Sequence, residues 1–346
     1  MDVAIIGAAG SCGRQLAAQL LAQEVLEPTA HLQLVGHRGG PSAHELWGLR
    51  ADLHDAFADR SPSIRLADAP EQVDADVVVM LAGATVPTDP RAVPDRAALA
   101  ATNAQVFRSY AEALTSRPAP PIVIVQSNPV ELGVAVFAEA LGRHRVVGAG
   151  AWSDTLRFRR ELAAELGVRR PQVDALVLGQ HGDHMVPVWS GVRVAGVAAD
   201  VVSEVVRAQR EGRALDRLPD EIRAGKAELL ERLKRGDVEA AYAGVEALPV
   251  DVRTGVKPFF THFTAGHTTE IHTAHAVAEL VAGLARGHGV RLPLQVALDG
   301  ELGGLRGVTA VPVVLGPTGW SEAADPGLAD DERAALERAL AAVSGG

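Results

Sequence analysis

The stretch that decides the fold lies near the start of the chain, where Val3-Ala4-Ile5-Ile6 is followed by Gly7-Ala8-Ala9-Gly10-Ser11-Cys12-Gly13. The short apolar run predicts a buried parallel strand, and the periodic segment 14–26 predicts the helix after the glycines. Glycines at such a junction permit a tight turn and let the backbone approach a phosphate at the helix N-terminus. We therefore expect Gly7, Gly10, Ser11, Cys12 and Gly13 to contact a dinucleotide pyrophosphate; an ordinary strand-to-helix turn is the alternative.

The second predicted strand, residues 31–35, ends at Gly36-His37-Arg38. NAD-specific sites usually carry an acidic residue here, which binds the ribose hydroxyls, whereas this chain has Gly36 and no acidic residue between it and Glu45. Without that carboxylate, Arg38 and His37 can bind a 2′-phosphate. We expect Gly36, His37 and Arg38 to be cofactor-binding residues and favour NADP over NAD. The alternative is a solvent-facing Arg38 and the use of NAD or of both cofactors.

The alternation of strand and helix continues through the first half of the chain. Residues 76–82 and 122–126 predict buried strands, and residues 95–116 predict a helix between them. The intervening segment 84–94 contains three prolines and is predicted to be a loop at the carboxyl end of a strand, where ligands bind in open α/β sheets. These alternations predict an α/β fold with a doubly wound parallel sheet of the Rossmann type.

A second group of functional residues lies in residues 153–159, Ser-Asp-Thr-Leu-Arg-Phe-Arg, and 178–184, Leu-Gly-Gln-His-Gly-Asp-His. The group contains His181 for proton transfer, the carboxylate of Asp154 to orient it, and Arg157 to pair with a substrate carboxylate. Reduction of a 2-oxo acid develops negative charge on the carbonyl oxygen, which a protonated histidine stabilises. Beside a dinucleotide-binding domain, this set indicates a dehydrogenase acting on a small 2-hydroxy acid.

Several pieces of the chain resemble the lactate/malate dehydrogenase family, and they occur in the family's order. Each piece is weak evidence alone, but the ordered series is highly specific. The resemblance implies an N-terminal Rossmann domain, residues 1–147, and a C-terminal α+β catalytic domain, residues 148–346. The pieces are the glycine loop, Leu81-Ala82-Gly83, Asp95-Arg96-Ala97-Ala98-Leu99 with Asn103, Ser127-Asn128-Pro129, Asp154 to Arg159, Gly179 to Asp183, and Val311 to Gly316.

The resemblance also implies roles for individual residues. His181 would be the catalytic acid and base, Asp154 would hold its imidazole, and Arg157 would bind the substrate carboxylate. Arg96 would polarise the substrate carbonyl, and Asn128 would hydrogen-bond near both the nicotinamide and the substrate. The same motifs imply further contacts, to the cofactor from Gly83, Asn103 and Asn128, and to the substrate from Thr268.

Neighbouring residues are alternatives for some of these roles. His184 competes with His181, and Asp183 competes with Asp154 as its partner. Malate-type members carry an additional arginine early in the loop, where lactate types carry glutamine. Arg91 does not have the family's spacing from Arg96, so it is either this substrate-binding arginine or a solvent-facing loop charge.

Two segments depart from the family pattern. Residues 209–262 are longer than the corresponding region, and we interpret them as a solvent-exposed helical hairpin, with a cover over the active site or a subunit contact as alternatives. Residues 266–275 are unusually polar. Their histidines and Glu270 suggest a metal site by residue type, but His267 and His272 do not share one helical face. We therefore predict no metal, and expect the segment to line a larger polar substrate pocket or a subunit interface.

Composition excludes several classes of protein. A formal net charge of −10 over 346 residues argues against a nucleic-acid partner, and the single cysteine, Cys12, excludes an internal disulfide. No apolar run is long enough to span a bilayer, so we expect no membrane partner and a cytoplasmic location. A family resembling this start, the NAD-dependent glycosidases, needs a central cysteine–histidine metal pair that Cys12 cannot supply.

The sequence leaves three functional alternatives. The favoured one is an NADP-preferring, malate-like 2-hydroxy acid dehydrogenase that assembles as a homodimer or homotetramer. The second is a strict NAD-dependent lactate or malate dehydrogenase, or a member with an unusual 2-hydroxy acid substrate. The third, a non-catalytic binding protein on the same fold, conflicts with the joint presence of His181, Asp154, Arg157, Arg96 and Asn128.

Overall fold

The computed structural model describes residues 1–92, 96–266 and 269–344, with the backbone alone at residues 96 and 344. Strands and helices alternate in the first part of the chain, and short 3-10 helices occupy some connections. The elements are β1 (Val3–Ile6), α1 (Ser11–Ala22), β2 (His31–Val35), α2 (Ser42–Phe57), β3 (Ser63–Ala67), β4 (Val77–Met80), α3 (Arg96–Thr115), β5 (Ile122–Val125), α4 (Val130–Leu141) and β6 (Val146–Gly148).

The second part of the chain mixes longer helices with antiparallel strands. Its first elements are α5 (Gly150–Leu166), β7 (Val173–Asp174), β8 (Val177–Gly179), β9 (Met185–Pro187), β10 (Arg193–Val194), α6 (Ala199–Arg210), α7 (Leu218–Lys234) and α8 (Val238–Glu246). They are followed by α9 (Val250–Ala265), α10 (Glu270–Ala285), β11 (Val290–Asp299), the single turn α11 (Glu301–Gly304), β12 (Arg306–Gly316), β13 (Gly319–Ala323) and α12 (Asp330–Ser344).

The first six strands form a parallel sheet in the order β3-β2-β1-β4-β5-β6. This is the order of a doubly wound dinucleotide-binding sheet, in which the strand order reverses between β1 and β4. The carboxyl ends of these two strands lead into the glycine loop and into the loop that begins at Leu81. The predicted Rossmann sheet is confirmed.

The apolar run of β1 is buried on both sides of the sheet. Val3 and Ile5 pack in one core with Leu16 of α1, while Ala4 and Ile6 pack in the other core with Phe107 of α3. A parallel strand covered by helices on both faces needs apolar side chains at every position. The continuous apolar pattern at the start of the chain has this physical cause.

The glycine loop is compact because helix α1 lies directly against it. Gly7 has φ of +84°, and a Cβ on Gly13 would lie 2.5 Å from the Gly7 carbonyl oxygen and 2.6 Å from Ala8 Cα. Helix α1 begins at Ser11, earlier than the sequence indicates, because Gly10 already serves as its N-cap residue. It ends at Ala22, shortly before Glu24, which has φ of +51°.

The C-terminal half extends the same sheet instead of forming a separate one. Strand β11 pairs antiparallel with β6 through Gln295 and Gly148, and β12, β8 and β9 follow in order beyond it. The result is a mixed sheet with a parallel core, as expected for a Rossmann half joined to an α+β half. This continuity matters for function, because residues of β11 lie next to the ends of the parallel strands.

The interpretation of residues 209–262 as a solvent-exposed hairpin is wrong. Helices α7, α8 and α9 pack against one another, and α9 packs on α5. Ile222 of α7 is completely buried, and a Cβ on Gly255 of α9 would lie 2.8 Å from its Cδ1 atom. The sequence misled because the segment is highly charged, while its apolar stripe is short and its close packing depends on glycine.

No helix in the described ranges is long and apolar enough to cross a membrane.

Truncation of Ile222 tests whether α7 belongs to the core. We expect Ile222→Ala to lower the free energy of unfolding by about 2–5 kcal/mol, as for other large-to-small core substitutions. The matched control is Val238→Ala at a half-exposed position on α8, which should change stability by no more than about 0.5 kcal/mol. Urea unfolding followed by fluorescence and circular dichroism measures both; equal small effects would contradict the packing described.

Candidate active site

The centre of the site is an ion pair between His181 and Asp154. His181 lies in the loop between β8 and β9, and its Nδ1 donates to Asp154 Oδ2 at 2.7 Å. Asp154 projects from α5 and is buried, while 18% of the His181 side chain is exposed. The bond at Nδ1 leaves Nε2 as the nitrogen that can exchange a proton with a ligand.

Arg157 holds the other oxygen of the same carboxylate. Its Nη1 donates to Asp154 Oδ1 at 2.9 Å, one helical turn along α5. Its Nη2 donates to Thr269 Oγ1, also at 2.9 Å, and Thr269 Oγ1 lies 3.1 Å from Thr273 Oγ1. Arg157 is therefore held in place by contacts with Asp154 of α5 and with Thr269, the residue that precedes α10.

The charges of His181, Asp154 and Arg157, here called the triad, shift one another's pKa values. Burial opposes ionisation of Asp154, but His181 and Arg157 outweigh it and lower the pKa of this carboxyl. Burial also favours a neutral imidazole, yet the Asp154 carboxylate and, to a smaller extent, Glu131 raise the pKa of His181 above its usual value. Burial lowers the pKa of Arg157, and Asp154 opposes this shift. The arrangement keeps His181 protonated to a higher pH than a free histidine.

A buried polar pair that the sequence analysis missed lies beneath His181. Glu131 Oε1 accepts the backbone N–H of His181 at 2.7 Å, and Gln295 Nε2 approaches the same oxygen at 3.5 Å. Gln295 Oε1 in turn accepts the N–H of Ala151 at 3.2 Å. Burial raises the pKa of Glu131. The pair connects α4, β11, α5 and the His181 loop; the only sequence signal was an acidic residue just after Asn128-Pro129.

Gly150 is a second residue that the sequence analysis missed. A Cβ at this first position of α5 would lie 2.5 Å from His181 Cγ and 2.6 Å from His181 Cβ. The imidazole therefore rests directly against the backbone at the start of the helix. Only the absence of a side chain at Gly150 lets His181 reach Asp154 in its present position.

The glycine loop fits a pyrophosphate. Helix α1 starts at Ser11 behind Gly10, which provides no side-chain cap, and a Cβ on Gly10 would already lie 3.3 Å from the Gly7 carbonyl oxygen. A backbone this close, at a helix N-terminus without a side-chain cap, accommodates an anion. Of the residues predicted to contact the cofactor here, Gly7 and Gly10 lie in the turn, and Ser11, Cys12 and Gly13 form the start of α1.

The adenosine end of the predicted cofactor site lies at the carboxyl end of β2. A Cβ on Gly36 would lie 2.9 Å from Leu46 Cδ1, so a side chain here would require a shift of the Leu46 side chain. His37 is exposed, and its backbone N–H bonds to Ser42 Oγ at 3.0 Å. Arg38 is 60% exposed and forms ion pairs with Asp68 at 3.0 Å and with Glu71 at 3.9 Å.

The nicotinamide end of the predicted site is organised by Asn103. Its Oδ1 accepts the N–H of Ala84 at 2.7 Å, and its Nδ2 donates to the carbonyl oxygens of Ala84 at 3.0 Å and Asn128 at 2.7 Å. A Cβ on Gly83 would lie 3.0 Å from Asn103 Oδ1. Asn103 therefore joins the ends of β4 and β5, while the Asn128 side chain is exposed beside them.

The loop after β4 is described as far as residue 92. Its Pro87 carbonyl oxygen accepts a hydrogen bond from His262 Nε2 of α9 at 3.1 Å. The side chain of Arg91 is exposed, and its N–H bonds to Asp89 Oδ1 at 2.9 Å. Arg96 begins α3, but its side chain lies outside the described part of the chain, as does Thr268; Thr269, the next residue, contacts Arg157.

The competing candidates, His184 and Asp183, do not take part in the His181–Asp154 contact. Asp183 forms an ion pair with Lys226 at 2.5 Å and lies 3.9 Å from Arg223, both on α7. Burial and, to a smaller extent, the positive charge of Arg223 lower the pKa of His184.

His272, in the polar segment 266–275, has a structural contact. Its Nε2 donates to the carbonyl oxygen of Ser153 at 2.9 Å. Burial and, to a smaller extent, the positive charge of Arg157 lower the pKa of His272 to about 3.

Two further observations concern the surroundings of Arg157. A cavity of about 570 Å³ adjoins it, lined by Arg160, Arg170, Lys257, Thr269 and His272 among others. Within the described ranges, no group of three or more His, Cys, Asp or Glu side chains is arranged to hold a metal ion; His267 lies outside these ranges.

Comparison with family models and curated proteins gives a consistent result. The lactate/malate dehydrogenase NAD-binding domain matches residues 1–148, and the α/β C-terminal domain of the same family matches residues 153–256. Malate dehydrogenase of Rhodopirellula baltica is 31% identical over 80% of this chain and 75% of its own. Malate dehydrogenase of Halobacterium salinarum is 29% identical, covering 99% and 97%. L-2-hydroxycarboxylate dehydrogenase (NAD(P)(+)) of Methanocaldococcus jannaschii is 28% identical, covering 98% and 95%.

Solved structures share the fold over nearly the whole chain. Malate dehydrogenase of Plasmodium falciparum superimposes with a TM-score of 0.75 at 19% identity, covering 100% of this chain and 96% of that one. Lactate dehydrogenase of Cryptosporidium parvum, solved with lactic acid and nicotinamide adenine dinucleotide, gives 0.75 at 21% identity, covering 99% and 96%. At such identities these likenesses concern the fold alone.

Substitution of Gly150 tests the packing around His181. We expect Gly150→Ala to lower the activity attributed to His181 by about 10- to 100-fold, because a displacement of about 1 Å suffices for such losses. Dinucleotide binding, measured by fluorescence titration, should stay unchanged, since the glycine loop is remote from this contact. Gly48→Ala on α2 is the control, because its Cβ meets no atom within 4 Å. An unaffected Gly150→Ala variant would contradict the tight contact.

Proposed function

The chain belongs to the lactate/malate dehydrogenase family, as an NAD(P)-dependent 2-hydroxy acid dehydrogenase, and on that premise we propose that it interconverts a malate-like 2-hydroxy acid and its 2-oxo acid, with NADP as the favoured cofactor. The observation that carries the proposal is the triad of His181, Asp154 and Arg157. One buried carboxylate holds a proton-transferring imidazole and a carboxylate-binding guanidinium at fixed positions.

In the proposed reaction, His181 exchanges a proton with the substrate oxygen. A nicotinamide cofactor held at the glycine loop would supply or accept the hydride when bound. His181 Nε2 gives its proton to the substrate oxygen during reduction or takes it during oxidation. Asp154 fixes the imidazole through Nδ1 and stabilises its charged form. In the reducing direction, the protonated ring neutralises the charge that develops on the carbonyl oxygen.

Arg157 is proposed to bind the substrate carboxylate. Its guanidinium is held through two of its nitrogens by Asp154 and Thr269. A guanidinium binds a carboxylate best through two parallel N–H bonds, and prior fixation of its plane lowers the entropy lost on binding. Thr269, adjacent to the predicted Thr268, therefore joins the proposed substrate side of the site.

The loop after β4 is proposed to cover the bound substrate. Its carbonyl at Pro87 is already held by His262, so part of the loop lies against the C-terminal half. Closure of such a loop excludes water and strengthens the electrostatic contacts inside. Arg96, at the start of α3, is proposed to polarise the carbonyl, and Asn128 to bond beside it.

A malate-like substrate is proposed because Arg91 is available for a distal carboxylate. It is a cation on the exposed part of the same loop. Lactate or malate with strict NAD dependence remains the competing function within the family. A family member with an unusual 2-hydroxy acid substrate is a further candidate, because a cavity beside Arg157 is lined by charged side chains of both signs, among them Arg170 and Glu270.

The preference for NADP is proposed from the end of β2. Gly36 stands where an acid would bind a ribose 2′-hydroxyl, and Arg38 lies two residues beyond. The carboxylates of Asp68 and Glu71 compete for its guanidinium. These ion pairs are exposed to solvent and therefore weak, so a dianionic phosphate can displace them.

The protein is expected to assemble as a homodimer or homotetramer. Light scattering after gel filtration would measure this oligomeric state.

The proposed function is tested by following NADPH and NADH oxidation with a panel of 2-oxo acids that includes oxaloacetate and pyruvate. We expect the fastest turnover with NADPH and oxaloacetate. His181→Asn should lower kcat by about 10²- to 10⁴-fold, the usual contribution of a positioned acid. Arg38→Ala should raise the KM for NADPH but not for NADH. Full activity of the His181→Asn variant would refute the catalytic assignment. An equal KM for NADPH in Arg38→Ala and in the wild-type protein would refute the role of Arg38.

The pH dependence of the reduction tests the partnership of His181 with Asp154. Reduction requires protonated His181, and its raised pKa places the falling limb of kcat/KM at higher pH than a free histidine would. Asp154→Asn removes the carboxylate, so the limb should move to lower pH. Glu131→Gln, which keeps an acceptor for the His181 N–H, should move it in the same direction by less. An unchanged limb in Asp154→Asn would show that another group titrates.

A further inference from the structure

Helix α7 is fixed tightly against α9. A Cβ on Gly225 of α7 would lie 2.9 Å from Val256 Cγ2, and one on Gly255 of α9 would lie 2.8 Å from Ile222 Cδ1. Each glycine thus lets the opposite helix approach closely. Because both contacts lie in the middle of the helices, the position of the next residue, Lys226, is well defined.

Lys226 extends from α7 to the loop that carries His181. Its Nζ lies 2.5 Å from Asp183 Oδ1 and 4.0 Å from the centre of the Phe259 ring of α9. Only 12% of the Lys226 side chain and 18% of the Asp183 side chain are exposed. Arg223, one turn earlier, lies 3.9 Å from the other carboxylate oxygen but is itself bonded to Asp220 at 2.5 Å. Lys226 is therefore the principal partner of Asp183.

Asp183 is two residues from His181, and the loop between β8 and β9 is held from two sides. On one side, Glu131 accepts the His181 N–H at 2.7 Å. On the other side, Lys226 holds Asp183. Within the loop, the described backbone bonds are the long ones from Gln180 N to His184 O and from Met185 N to Gly182 O, both 3.3 Å.

The same pair of helices also contacts the loop opposite. His262, near the end of α9, donates to the carbonyl of Pro87 in the loop after β4. The α7–α9 pair thus connects the histidine loop, through Lys226, with the loop that carries Arg91. A segment that the sequence suggests to be peripheral contacts both walls of the proposed cleft.

We propose that helix α7 is a brace for the active site and that Lys226 is a positioning residue, which fixes His181 through Asp183. The inference rests on the proposed function. A half-buried ion pair of this kind adds little net stability compared with apolar side chains of similar size. Its effect is instead geometric, because it restrains the loop at a point adjacent to the catalytic imidazole.

The test compares Lys226→Met with Lys234→Met. Both lysines lie on α7, but Lys234 is at the exposed end of the helix. It pairs with Glu231, and it is not among the described partners of Asp183. We expect Lys226→Met to lower kcat about tenfold or more, since small displacements of a catalytic group have such effects. The KM and the dissociation constant for NADPH should stay unchanged, because the glycine loop is untouched. Lys234→Met should leave kcat, the KM and the dissociation constant for NADPH unchanged.

Two readouts separate positioning from a contribution to folding. In a double-mutant cycle, Lys226→Met combined with Asp183→Asn should be no slower than the slower single variant, because both remove one restraint. The rate at which diethylpyrocarbonate modifies His181, followed by peptide mass mapping, should rise in Lys226→Met and not in Lys234→Met. This second readout does not depend on turnover.

The outcomes distinguish this inference from the proposed function. If Lys226→Met melts at a lower temperature but keeps the wild-type kcat, the lysine is structural and the brace is refuted. Additive losses in the cycle refute it as well, because they place Lys226 and Asp183 in separate roles. If the wild-type protein binds NADPH but turns over no 2-oxo acid, the proposed function fails. An unchanged modification rate of His181 in Lys226→Met then refutes the brace independently.

Discussion

The buried carboxylate of Asp154 is the constraint on which the rest of the site depends. An ion removed from water is costly unless charged or hydrogen-bonding partners compensate it. His181 compensates one oxygen and Arg157 the other. Since Asp154 and Arg157 share helix α5, the carboxylate fixes the histidine relative to the arginine that is proposed to bind substrate. The missing side chain at Gly150 completes the arrangement, because it lets the imidazole rest on the start of the same helix.

The continuous sheet explains how two halves of the chain produce one site. Strand β11 pairs with β6 through Gln295 and Gly148, which brings a buried amide from the C-terminal half beneath the ends of the parallel strands. Gln295 and Glu131 then hold the backbone of α5 and of the His181 loop together. The proposed catalytic histidine is thus positioned by hydrogen bonds from both halves of the chain, at their junction.

The residues proposed to bind the cofactor lie at the switch point of the sheet for a related reason. Where the strand order reverses between β1 and β4, the adjoining loops diverge and leave a crevice at the carboxyl ends. The glycine loop follows β1, and the loop that reaches His262 follows β4. Asn103 joins the ends of β4 and β5 at the same edge. Through Lys226 and His262, helices α7 and α9 contact the loops on both sides of the proposed cleft.

The sequence by itself determined the Rossmann half, the family, and the candidates His181, Asp154 and Arg157. These signals are local: apolar period, glycines at a strand–helix junction, and short motifs in a fixed order. Only the tertiary structure decided that Glu131 and Gln295 support His181, that Thr269 holds Arg157, and that Lys226 holds Asp183. Those contacts join residues far apart in the chain, and no periodicity records them. The burial of α7 escaped prediction for the same reason, because it depends on the fit of Gly225 and Gly255 between two helices.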